Sequence, residues 1–113
     1  MKYIYQMKDS KLESALVGIQ KTRAILPDQV NAYLNFTQKV KSDGALSEKN
    51  KALILVSLAV YAQCEMCIES NVTNALSINA SKEEIVEAAL TAVSMGGGPK
   101  MMYMQYVHDA LEL

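Results

Sequence analysis

From Ala52 to Ala62 every side chain except that of Ser57 is hydrophobic, and neither glycine nor proline interrupts the run. Eleven residues cannot cross a bilayer, which takes about 20 as a helix. A helix this apolar has almost no polar side, so it must lie centrally in its domain or in an interface between copies. That constraint organises the chain, and the punctuation on either side reads as helical throughout.

Ser10 followed by Glu13 predicts a capping box, with Leu12, Leu16 and Ile19 on one face of the helix it opens. Pro27 ends that helix. A second runs from about Asp28, with Val30, Tyr33 and Leu34 inward, until Ser42-Asp43-Gly44 stops it. Ser47 caps the apolar helix. In the fourth, Cys64, Cys67, Ile68, Asn71, Val72, Ala75 and Leu76 form one stripe, while Glu65, Glu69 and Ser70 point the other way. Ser81 and Glu84 form another capping box, opening a helix with Ile85, Ala89 and Val93 inward. Gly96-Gly97-Gly98 breaks the chain, and Pro99 stands at the first turn of a last helix. Outside residues 1–7 nothing alternates like a strand. The expectation is an all-α fold of about six helices, one domain over residues 1–113, with the two apolar central helices forming a hairpin-like core.

Eleven basic residues against 12 acidic ones, with no basic block, argue against a nucleic-acid surface. The first residues, Met1-Lys2-Tyr3-Ile4-Tyr5-Gln6-Met7, lack the apolar run of a signal peptide. The reading is a soluble cytoplasmic protein with no membrane partner.

Cys64 and Cys67 are the only cysteines and make a C-x-x-C. Two thiols at this spacing can close a disulfide within one turn, and a helix start lowers a thiol pKa through its unpaired N–H groups and macrodipole. In a reducing compartment such a pair is redox-active or metal-bound rather than a structural staple. A structural zinc takes about four ligands, and this pair with the one histidine offers three, so no metal is expected. The opposing reading is two small buried hydrophobes on a core stripe. Under the redox reading Cys64, nearer the helix start, should be the more acidic and the more exposed thiol, with Cys67 one turn deeper. The methionines at 95, 101, 102 and 104 read as adaptable apolar filler, and no cofactor is expected.

The succession Leu46-Ser47-Glu48-Lys49, the apolar helix, Gln63-Cys64-Glu65-Met66-Cys67-Ile68-Glu69-Ser70-Asn71, Ala80-Ser81-Lys82-Glu83-Glu84-Ile85-Val86-Glu87-Ala88 and Met95-Gly96-Gly97-Gly98-Pro99 resembles the alkylhydroperoxidase D-like branch of the carboxymuconolactone decarboxylase superfamily. The resemblance covers residues 45 to 113 well and the first 44 through helix order and Pro27. It implies a helical homohexamer, a trimer of dimers, whose C-x-x-C cycles between dithiol and disulfide to reduce a peroxide or a partner's disulfide. The superfamily's decarboxylase activity does not use this pair, and nothing in the sequence supports it.

The branch pattern also implies a proton relay, with a Glu twelve residues before the first Cys and a His four after the second. Here those positions hold Ala52 and Asn71, and Met66 replaces a His found before the second Cys. An amide can orient a thiol or a water but is no base near pH 7; its plainer role is a hydrogen-bonded polar group. Glu48, one turn before Ala52, and His108, the only histidine, are the remaining auxiliary candidates, each equally readable as a solvated surface residue. Two readings stand: a peroxiredoxin-like antioxidant acting through Cys64 and Cys67, and a catalytically silent helical oligomer that kept the cysteines and lost the relay.

Overall fold

The computed structural model describes residues 11–113. The Ser10 cap and the alternating residues 1–7 lie outside them. The chain divides into two compact units, Met1–Asp43 and Gly44–Leu113.

In the first unit, α1 (Lys11–Ile25) and α2 (Pro27–Lys41) pack against each other. Pro27 sets the break between them. It cannot donate a backbone hydrogen bond, it pushes Leu26 out of helical geometry (φ −130°, ψ 71°), and its fixed φ suits the first turn of α2. Neither helix has a buried residue. Leu12 and Val30 are half-buried, whereas Leu16, Ile19, Tyr33 and Leu34, expected inward, are exposed. Two helices share one contact, and one contact makes no interior.

The second unit holds α3 (Glu48–Tyr61), α4 (Glu65–Ser77), α5 (Lys82–Gly96), α6 (Gly98–Met102) and α7 (Met104–Leu111). Ser47 caps α3 as expected, its Oγ accepting the Asn50 N–H at 3.1 Å. The Ser81–Glu84 capping box on α5 is complete: Glu84 N–H donates to Ser81 Oγ at 3.1 Å, and Ser81 N–H donates to Glu84 Oε1 at 2.9 Å. The apolar helix α3 is central, with α4 and α5 packed on it. Val56 and Val60 from α3, Ile68 and Val72 from α4, Ile85 from α5 and Val107 from α7 are fully buried. On the remaining side of α3, Ile54 and Leu58 stay exposed.

After Gly96 the chain turns at Gly97 (φ 76°, ψ −152°), a conformation that excludes a Cβ, and Pro99 opens α6. The expected last helix is split at Tyr103. There Tyr103 N–H bonds to Lys100 O and Tyr106 N–H to Tyr103 O, a tighter three-residue repeat that shifts the register. Six expected helices thus correspond to the described all-α architecture, which contains no strand among the described residues. No helix among them is long and apolar enough to cross a membrane.

Candidate functional site

The turn from α3 into α4 builds the cysteine site. Helix α3 ends with the Cys64 N–H bonded back to Ala59 O (3.2 Å) and the Gln63 N–H bonded to Val60 O (3.0 Å). That pairing requires a left-handed residue, and Gln63 supplies it with φ 53°. The turn from α4 into α5 repeats the device. Ala80 N–H bonds to Ala75 O, Asn79 N–H bonds to Leu76 O, and Asn79 is left-handed with φ 71°. Asparagine tolerates that conformation; glutamine has no such preference.

Cys64 leaves this turn extended (φ −107°, ψ 101°) as the N-cap of α4. Its Sγ accepts the Cys67 N–H at 3.3 Å and is joined to Cys67 Sγ in a disulfide, with Cα atoms 5.2 Å apart. A sulfur in the capping position faces the unpaired N–H groups of the first turn, which favour the thiolate of the reduced pair. The exposure order is the reverse of the expected one: Cys64 is half-buried and Cys67 exposed. The cap explains this, because it folds the Cys64 side chain back over the helix while Cys67, on the first turn, points out.

Asn71 does not reach toward a thiol. Its Nδ2 donates to the Cys67 carbonyl of its own helix at 2.9 Å. Ala52 is 3 % exposed, inside the apolar core. Glu48 begins α3 at the end away from the cysteines, about 20 Å along the axis at 1.5 Å per residue. His108 is exposed and lines a cleft with Lys82, Glu83, Val86, Glu87 and Leu90 of α5. The structure thus joins Cys64 with Cys67, sets Asn71 one turn along, and places Glu48 and His108 elsewhere.

Other groups crowd this end of α4 instead. Glu65 and Glu69, expected on the solvent side, are half-buried and line a cavity of about 120 Å³ with Tyr106, Asp109 and Leu113. Burial, and secondarily the charge of Glu65, hold the Glu69 carboxyl above its ordinary range. Glu69 follows Cys67 by two residues, which is about 200° around a helix, so its carboxyl is not the missing base for that thiol. On another side, Lys100 Nζ donates to Gln63 Oε1 at 2.9 Å and lies 4.5 Å from the centre of the Tyr61 ring. Neither contact is legible in the sequence, because 37 residues separate Gln63 from Lys100. Among the described residues no three His, Cys, Asp or Glu side chains group to hold a metal ion.

The model of the carboxymuconolactone decarboxylase family matches residues 27–105. The chain belongs to this family. The matched span runs from Pro27 through the cysteine pair to α7. An uncharacterised protein of the cox locus of Paracoccus denitrificans is 34% identical over 92 residues, 81% of this chain and 83% of that protein. An uncharacterised protein of Cupriavidus necator is 34% identical over 77 residues, 68% of each chain. Among solved structures, a carboxymuconolactone decarboxylase family protein of Legionella pneumophila superposes with a TM-score of 0.84 at 34% identity, covering 88% of this chain and 89% of its own. A family protein of Thermotoga maritima, carrying a provisional role in antioxidative response, superposes with a TM-score of 0.69 at 24% identity, covering 84% of this chain and 87% of its own. The Thermotoga likeness is one of fold.

Proposed function

We propose that this family member is a small thiol–disulfide redox protein of the alkylhydroperoxidase D-like branch, acting through Cys64 and Cys67. The observation that carries the reading is the disulfide across the first turn of α4, with one sulfur seated on that turn's N–H groups and the other belonging to an exposed residue. In the oxidative half-cycle a thiolate of the pair attacks a peroxide oxygen and the O–O bond breaks. The products are a sulfenic acid and an alcohol, which takes up one proton. The second thiol then attacks the sulfenic sulfur, the disulfide closes, and water leaves. In the reductive half-cycle a thiolate on a reductant with two thiols attacks Cys67 Sγ, the sulfur of the more exposed residue. Cys64 departs as the better-stabilised thiolate. The reductant's second thiol then releases Cys67, so two electrons and two protons pass to the pair.

The same observations keep peroxidase turnover low. Ala52 offers no carboxylate, Asn71 is bonded to backbone, and general-base assistance is worth about 10²–10⁴-fold in rate. They also favour the second reading, a catalytically silent helical oligomer. Mass spectrometry of alkylated protein separates the two. Reduced protein treated with equimolar peroxide should lose both alkylation sites within each chain, and a dithiol reductant should restore both. Persistent labelling of both thiols after peroxide would leave the silent oligomer standing.

Assembly into a homo-oligomer, a hexamer by the branch resemblance, is part of the proposal. It is supported by exposed apolar side chains such as Ile54, Leu58, Met95 and Met102, since a small monomer rarely leaves so much apolar surface in water.

A further inference from the structure

We propose that Lys100 is a positioning residue for Cys64, holding the left-handed turn that seats its sulfur on the start of α4. This role rests on the thiol–disulfide reading above. Gln63 is an unusual occupant of a left-handed cap, and the structure gives it a partner from outside the turn. The Lys100 ammonium is held on the Gln63 amide oxygen at 2.9 Å and over the Tyr61 ring at 4.5 Å, gripping the residues on both sides of the α3 C-cap, Ala62. The corresponding cap at Asn79 uses a residue that adopts this conformation by itself.

The seat for Lys100 is built. Gly97 (φ 76°) turns the chain back on itself, and α6 brings Lys100 over Gly96. A Cβ at position 96 would stand 2.4 Å from Lys100 Cγ and 2.8 Å from its Cε, so only glycine leaves room for the lysine stem. The second glycine of the triple is thus a turn, and the first is the floor under Lys100. Gln63 is bonded directly to Cys64. Fixing Gln63 therefore fixes the extended Cys64 backbone and keeps Sγ on the Cys67 N–H. The other titratable groups around this end of α4 are Glu65 and Glu69 on the helix, Tyr106 and Asp109 across the cavity on α7, and Tyr61 on α3. Of these, the carboxylates disfavour a thiolate, which makes the seating on backbone N–H groups the main support for one.

The test is the pH profile of Cys64 alkylation in the reduced full-length protein, read by mass spectrometry for wild type, Lys100→Met, Gln63→Gly and the double variant. Lys100→Met should shift the Cys64 profile to higher pH and slow alkylation at pH 7 by about three- to tenfold, the loss of a seated thiolate. Lys100→Arg should recover most of that loss, because it restores a cation able to reach the amide. Glycine adopts the left-handed turn unaided, so Lys100→Met should add little in the Gln63→Gly background. An unchanged profile in Lys100→Met overturns the proposal. So does an equal shift in both backgrounds, which would make Lys100 a bare charge. Should Lys100→Met fail to fold, Gly96→Ala evicts the same side chain while keeping its ammonium, and the same profile decides. A wild-type pair that alkylates normally but never closes with peroxide refutes the redox reading and leaves this seating intact.

Discussion

At the scale of single residues, the absent relay is a matter of where Ala52 and Asn71 lie. Asn71 is half-buried one turn beyond Cys67, so a histidine there replaces a polar side chain already bonded to the helix backbone. Asn71→His is expected to raise peroxide-dependent turnover by up to about 10²-fold, the lower range for a positioned base, in an assay of peroxide loss at saturating reductant. Ala52→Glu is expected to fail in the opposite way. Position 52 is in the apolar core, and an ionised carboxylate there should cost about 3 kcal/mol or more by denaturant unfolding. The pair of thiols was legible in the sequence because a C-x-x-C is local. Their exposure order was not, because it depends on which sulfur folds back as the N-cap. Gln63 and Lys100 were illegible for a different reason: nothing in either neighbourhood marks two side chains that meet only when α6 folds over Gly96.

At the scale of elements, the helix signals read well wherever they were local. Ser47, Pro27, the Ser81–Glu84 box and the Gly97 turn all act where the spacing placed them. Burial was less legible, since it depends on neighbours. Glu65 and Glu69 are drawn half under cover because α7 packs against α4. Two carboxylates, the capping Glu84 and the half-buried Glu69 of α4, carry opposite pH signatures. The Ser81 N–H and the Lys49 ammonium, 2.9 Å away, hold the Glu84 carboxyl below its ordinary range. Its stabilisation is therefore present above the unfolded pKa and lost as pH falls through the folded one. Glu84→Gln keeps the acceptor but removes the charge, so its Tm should fall below wild type at pH 7 and rejoin it in acid. Glu69, held above its range, is the reverse. It favours folding fully only below the unfolded pKa, and that contribution is lost as pH rises through the folded value. Glu69→Gln should therefore raise Tm at pH 7 and change little near pH 3. A thermal melt series across pH distinguishes the two signs. Ser81→Ala, which removes the oxygen that caps α5, should cost about 1 kcal/mol at pH 7.

At the scale of the molecule, α3 supplies both the core and the exposed apolar surface that the proposed assembly would cover. Its inner residues make the core with α4 and α5, while Ile54 and Leu58 border an open cleft of about 410 Å³ with Leu46, Leu53 and Ala88. Sedimentation at micromolar concentration should give a mass several times the 12.4 kDa chain, and Leu58→Glu should lower it. A wild-type mass of one chain would overturn the proposed assembly. The central claim, that Cys64 and Cys67 cycle, is tested most directly by equilibrating the native protein in graded dithiol redox buffers and counting free thiols. One reversible two-electron transition is expected between about −300 and −180 mV, where thioredoxin-like dithiols cycle, and it should be lost in Cys64→Ser. A pair that stays closed well below about −300 mV, or never closes at all, would contradict the central claim.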